Sequence, residues 1–303
     1  MIHYLHHTEI NRSRWDECIQ DSPDGLIYSC SWYLDLVSPG WEALVEDDYA
    51  AVMPLPVSLK WGIRYLRRPP YCQQLGLSAR NPVNINLMNA FLAAVPEDVR
   101  LVDMPFNEGN MKIPGLDQSV FHPKPNYLLF LDKPYLDIRK GYATNTRRNL
   151  AKAEANGVLA SQIQDMEELI DLKWGNAITR LNPKYRSVLL NIWDHVREKG
   201  ESELVGVRDN EGKLMAGALF IRFRNRWTYL LSASSSSGKA DRAMFAVVDH
   251  FIRNHAGEPL MLDFEGSVLF SLARFFAGFG ASEHPYPHLH INRLPALLRW
   301  IKR

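Results

Sequence analysis

Cysteine is scarce in this chain of 303 residues: Cys18, Cys30 and Cys72 all fall in the first quarter, without a CxxC or a paired Cys/His spacing. That usage argues against a disulfide framework and a zinc site and suits a reducing compartment. Missing too is any run of about 18 uncharged apolar residues, the length a membrane-crossing helix requires. The start, "MIHYLHHTEINRS", lacks the basic opening and continuous apolar stretch of a secretory signal. Both absences point to a soluble, cytoplasmic protein. Charge of one sign is also lacking, because 35 Lys plus Arg stand against 34 Asp plus Glu, a net +1. No overall field would recruit nucleic acid or an anionic membrane, so any anion-binding surface must be local. His3, His6 and His7 are conceivable ligands, but terminal histidines are more often solvated, and no metal is expected.

What is present is the material of a core, with 46% hydrophobic and 23% charged residues. The length fits two domains. A helix is expected over residues 11–20, capped by Asn11 with Trp15 and Ile19 on one face, and a hairpin over "WEALVEDDYAAVMPLPV". A helix near 85–94 and a strand "VRLVDMPF" complete the first half, and the Gly-, Pro- and Asn-rich stretch 107–125 marks a boundary. The expected division is therefore 1–125 and 126–303. The second half reads as a strand "NYLLFLD", a basic helix ending at Asn156 and Gly157, two further helices, and three strands, "SELVGVRD", "KLMAGALFIRF" and "RWTYLLSAS". A serine-rich loop leads into the helix "RAMFAVVDHFIRNHAG", followed by the strand "LMLDF", a helix through "SLARFFAGFG", a strand "HLHIN" and a terminal helix "LPALLRWIKR". Both halves share the order helix, hairpin, helix, strand, which hints at duplication. The class is α/β (α+β), with mixed, mostly antiparallel sheets flanked by helices.

The antiparallel strands, polar loop, helix and further strand of residues 203–267 resemble the GNAT acyltransferase core. More specifically, the chain resembles the FemAB-like branch, in which two GNAT-like units lie in tandem. The match is carried by Arg147, Arg148, Lys152 and Ala153 running to Gly157 and Val158, then Asp263 and Phe264, then Phe275, Phe276, Phe279 and Gly280. It covers roughly residues 125–292, and the first half matches in outline. The resemblance implies transfer of an acyl or aminoacyl group to an amine acceptor, small molecule or peptide, in a cleft between the halves. The FemAB branch draws on aminoacyl-tRNA and its relatives on acyl-CoA. It also implies a groove where "RWTYLLSAS" and "LMLDFEG" diverge, with Ser232, Ala233 and Ser234 on the donor side.

Several residue types in these stretches could carry such chemistry. Free N–H groups at the helix start after Ser235, Ser236, Ser237, Gly238 and Lys239, with Arg242 nearby, make an anion site. GNAT phosphate loops usually carry two glycines, whereas here Gly238 stands alone. Use of coenzyme A therefore stays open, beside the alternative of a flexible turn. Arg148 and Lys152 are four residues apart on one helical face next to Arg147, able to grip phosphates or simply to form a solvated face. Asp263 and Glu265 share one side of an extended strand, with Phe264 on the other. Glu265 is the expected base for the amine proton and Asp263 its positioning partner, the alternative being that Asp263 caps a helix or pairs with an arginine. Tyr71, Gln73 and Gln74 beside a double proline could recognise the acceptor or satisfy buried backbone. Cys72 lacks an identifiable His/Asp partner. Tyr286, His288 and His290 alternate along a strand, the two histidines on one face, and Phe270, Phe275, Phe276 and Phe279 read as core. A non-catalytic GNAT-like binding module that has lost its donor site is the competing reading.

Overall fold

A computed structural model describes residues 1–175, 182–266 and 269–295. The chain divides into two units: Met1–Lys124 with the described residues from Pro285 onward, and Pro125–His284.

The first unit holds two sheets. One runs Ile2–Leu5, Glu42–Glu46, Ala51–Leu55, Ser78–Ala79, and the other Val57–Lys60, Ile63–Arg67, Val99–Pro105, Tyr286–Asn292, Phe121–Lys124. The expected helices form at Arg12–Asp21, where Asn11 accepts from the Arg14 N–H, and at Ile85–Ala93. Residues 126–303 were expected to stay together, but the strand Tyr286–Asn292 is paired on both sides by strands of the first unit. Such a pairing joins residues far apart in sequence and leaves no local trace. The terminal helix expected near the end lies, from residue 296, outside the described residues.

The second unit has a seven-stranded sheet. In chain order its strands are β1 (Tyr127–Phe130), β2 (Ala160–Gln162), β3 (Ser202–Arg208), β4 (Leu214–Phe223), β5 (Arg226–Ser234), β6 (Met261–Asp263) and β7 (Ser282–Glu283). Their spatial order is β2-β3-β4-β5-β6-β1-β7. All neighbours are antiparallel except β5 and β6, which are parallel and joined through two helices. The helices are α1 (Tyr135–Lys140), α2 (Thr144–Ala155), α3 (Met166–Gly175), α4 (Pro183–Glu198), α5 (Ser236–Ala240), α6 (Ala243–His255) and α7 (Phe270–Gly278).

The apolar period of α6 turns Val247, Val248, Phe251 and Ile252 inward, all fully buried. Phe251 stacks on Phe220 of β4 with centroids 3.8 Å apart. Burial of each such side chain contributes roughly 1.5–3 kcal/mol. The single basic helix expected before residue 157 is broken into α1 and α2 around Gly141–Ala143, and α2 ends as anticipated, with Gly157 left-handed at φ 70°. The end of α7 is pinned to α2: the Ala143 N–H donates to the Gly278 carbonyl at 2.9 Å, and a Cβ at 278 would collide with Thr146 Oγ1. No described helix is long and apolar enough to cross a membrane.

Candidate functional site

β5 and β6 share only three pairs, Arg226 with Met261, Trp227 with Leu262, and Thr228 with Asp263. β5 continues to Ser234 while β6 stops at Asp263, so the edge of β5 from Tyr229 onward faces no strand on that side among the described residues. A cavity of about 660 Å³ opens there. Tyr229, Ser232, Ala233 and Ser234 of β5 form one wall, and Lys173 reaches in from α3. Gly238 and Lys239 of α5, then Arg242, Met244 and Phe245 at the start of α6, form the second wall. Ser271, Leu272, Phe275 and Phe276 of α7 form the third.

The serine-rich segment, expected as a loop, is a short helix. Ser235 caps it by accepting from the Gly238 N–H at 2.9 Å, and the Ser235 N–H donates to the Met215 carbonyl of β4 at 2.8 Å. A Cβ at 238 would collide with that same carbonyl. Glycine is therefore required by close approach of helix to strand, a reason a sequence pattern cannot separate from phosphate contact. Arg242 then adopts a left-handed backbone, φ 62°, which lets the chain turn directly into α6. Its Nη1 donates to the Lys239 carbonyl at 3.1 Å, while its Nε is buried without a partner among the described residues. Lys239 and Arg242, with the positive end of the α6 dipole beside them, make one wall of the cavity electropositive.

Lys173 carries no motif but is a central member of the site. Its Nζ donates to the Ser232 carbonyl at 3.0 Å, and burial lowers its pKa below 10.5. The signal in the sequence is its place four residues after Leu169 and three after Ile170, both fully buried, which sets a lysine on the apolar face of α3. Burial likewise raises the pKa of the Tyr229 phenol.

Of the residues singled out in the sequence, Ser232, Ala233, Ser234, Gly238, Lys239 and Arg242 converge on the cavity. Ser235, Ser236 and Ser237 are not among its described lining; the hydroxyls of Ser235 and Ser237 lie 2.8 Å apart. Asp263 is fully buried, its Oδ2 3.1 Å from Arg226 Nη1, and its Oδ1 accepts from the Glu265 N–H at 2.8 Å. The arginine-pair alternative thus describes the Asp263 carboxylate. This Asx turn ends the strand, and Glu265 takes φ 57°, so Asp263 and Glu265 do not continue on one strand face. Glu265 is half-buried, one turn past the parting, and neither acid is among the described lining. Phe264 is buried as expected.

Arg147, Arg148 and Lys152 lie on the exposed side of α2, whose buried side is Thr146, Leu150 and Ala153, and they do not line the cavity. Gln73 and Gln74, in the first unit, are buried and tied inward. Gln74 Oε1 accepts from the Glu108 N–H at 2.8 Å and its Nε2 donates to Gln73 Oε1 at 3.1 Å. Tyr71 is left-handed and its carbonyl accepts from the Tyr33 hydroxyl. The glutamine alternative of satisfying buried backbone matches this geometry. Cys72 is buried with its Sγ 3.8 Å from the Gln74 carbonyl. His288 Nε2 and His290 Nδ1 share Asp103 Oδ1 at 2.7 and 3.8 Å, as side chains on one strand face should.

The chemistry of the lining fits the anionic end of a carrier such as coenzyme A. Two cationic side chains stand at a helix start, one with an unsatisfied buried nitrogen, and an unpaired strand edge could bond an amide-bearing stem.

Comparison with known proteins agrees with this architecture. The family model for the acetyltransferase (GNAT) domain matches residues 140–267. A solved structure of FemX covers 99% of this chain and 100% of its own, at 15% identity and a TM-score of 0.65. A tandem GNAT protein from the clavulanic acid biosynthesis pathway covers 98% and 100%, at 11% identity and a TM-score of 0.56. L-PGS from Bacillus licheniformis covers 95% and 93%, at 10% identity and a TM-score of 0.56. Among curated proteins, none matches by sequence.

Proposed function

From a chain that carries a GNAT acetyltransferase domain within the tandem fold of the FemAB-like branch, we propose an N-acyltransferase that moves an acyl or aminoacyl group from a carrier to an amine. The observation that supports it is the parting of β5 from β6 after Thr228 and Asp263, over a cavity with an electropositive helix start on one wall. A carrier thioester or ester supplies an acyl carbon already activated toward attack.

The remaining work belongs to this chain. Lys239, Arg242 and the opening amides of α6 hold the carrier's anionic groups. The free edge of β5 offers N–H and C=O groups to the stem. A backbone N–H of Ser232–Ser234 aimed at the carbonyl oxygen contributes up to about 3–4 kcal/mol as negative charge develops there. Glu265 accepts the amine proton, and Asp263 positions it by holding its backbone N–H at 2.8 Å. Arg147, Arg148 and Lys152 form a cationic surface for phosphates of a donor or acceptor. The acceptor is an amine on a small molecule or peptide; Tyr71, Gln73 and Gln74 contribute by shaping the first unit.

A second reading, a non-catalytic GNAT-like module, is favoured by Gly238, whose lack of a side chain is required by packing on Met215. Thermal melting separates the two. Saturating coenzyme A, acyl-CoA or charged tRNA should raise the midpoint by mass action, about 2.7 kcal/mol of stabilisation at a hundredfold excess over Kd. No shift with any of them would favour the module.

A further inference from the structure

The cavity at the parted strands has a charge balance that discriminates between acyl groups. Lys173, Lys239 and Arg242 line it, and among its described lining residues none is Asp or Glu. The Ser232 carbonyl, which could have held an ammonium, already accepts from Lys173 Nζ at 3.0 Å. Much of the remaining lining is apolar: Phe245 of α6 meets Phe275 of α7 edge to face at 4.9 Å, and Leu272 and Phe276 join them. Leu272 is 43% exposed, so the apolar lining reaches the surface there.

We infer that the acyl group this cavity takes is uncharged and apolar, a fatty or aryl acyl group on an anionic carrier, and not an aminoacyl group bearing a free ammonium. The inference rests on the transferase reading and narrows its donor. With Lys239 and Arg242 given to the carrier's anionic groups, an α-ammonium drawn from water into this site would still meet the Lys173 ammonium and, among the described lining residues, no carboxylate, so its desolvation would go uncompensated. A methylene chain meets Leu272, Phe275 and Phe276 and gains free energy for each CH₂ removed from water. In the transfer, the amine nitrogen bonds to the acyl carbon, the C–S bond breaks with its pair going to sulfur, and the proton lost by the amine balances the thiol released.

Calorimetric titration of the whole chain with coenzyme A, acetyl-CoA, octanoyl-CoA and β-alanyl-CoA tests this. Octanoyl-CoA should bind at least about tenfold tighter than acetyl-CoA from its added methylenes, and β-alanyl-CoA, with its ammonium, no tighter than coenzyme A. Leu272→Asn, a neutral change in the apolar lining, should abolish most of the octanoyl advantage over acetyl-CoA. Equal affinity for acetyl- and octanoyl-CoA, or tight binding of β-alanyl-CoA, overturns the inference and leaves the transferase reading standing. So does binding of charged tRNA without any of the thioesters. Failure of all four compounds and of charged tRNA removes both.

Discussion

Thr228 and Asp263 are the last residues that β5 and β6 hold in common. Beyond them β5 runs on beside the cavity without β6. A parallel pair that stops after three residues leaves strand edge, helix start and apolar wall around one space, and the chemistry follows from which side chains face it.

Asp263 itself belongs to the frame. Its buried carboxylate is balanced by Arg226, which is nearly buried, at 3.1 Å. Asp263→Asn keeps the acceptor for the Glu265 N–H but removes the negative charge that faces Arg226, at a cost of about 3–5 kcal/mol. Urea denaturation should report that loss; an unchanged midpoint would mean that Arg226 finds another partner.

Glu265→Gln is expected to behave in the opposite way. Turnover should fall by about 10²–10⁴ if this group accepts the amine proton, while the melting temperature stays close to that of the parent. Unaltered turnover would take Glu265 out of the mechanism.

Lys173 gives a pH-dependent test. Its folded pKa lies below 10.5, so between the two pKa values the unfolded chain binds the extra proton and stability rises with pH. The penalty is therefore fully present below the folded pKa and gone above the unfolded one. Lys173→Met should melt higher than the parent near neutral pH, by about 2 °C per kcal/mol regained, and the gap should close as pH approaches 10.5. A gap independent of pH would show that the lysine enters the fold without a charge penalty.

Gly238→Ala places a methyl group against the Met215 carbonyl. Overpacking of this kind costs about 1–3 kcal/mol. Because the displaced segment carries Lys239 and Arg242, donor affinity should fall as well, measured by titration. Retained stability with lost affinity would separate the glycine's two roles.

Arg148→Glu with Lys152→Glu changes two exposed side chains. Stability should move by no more than about 0.5 kcal/mol each. If these cations meet phosphates, affinity for the donor or acceptor drops and its salt dependence flattens; an unchanged salt dependence would leave them a solvated face.

Much of this architecture was legible in the sequence because it is local. The cap at Asn11, the left-handed Gly157, the hairpins and the three antiparallel strands each announce themselves within a few residues. The divergence of two strands was foreseeable from the acyltransferase resemblance. What escaped is non-local or depends on one dihedral angle. Alternation along "LMLDFEG" holds only while the strand lasts, and the Asx turn at Asp263 sends Glu265 elsewhere. Serines that look like a loop become a helix because Met215 is there to anchor Ser235. Phe275 and Phe276 have the spacing of core residues, and Phe276 is buried, yet both also face the cavity. Helical periodicity records that a face is apolar and not whether protein or ligand covers it.

The contact of Gly278 with Thr146 carries a consequence for how the bore of the pocket could drift. α7 supplies several lining residues of that space but takes its bearing from α2 through Gly278 and Thr146, neither of which is among the described lining residues. A bulkier residue at either position would tilt α7 wholesale, widening or narrowing the room for the transferred group while every lining residue kept its identity. Selectivity in such a protein could be retuned from behind.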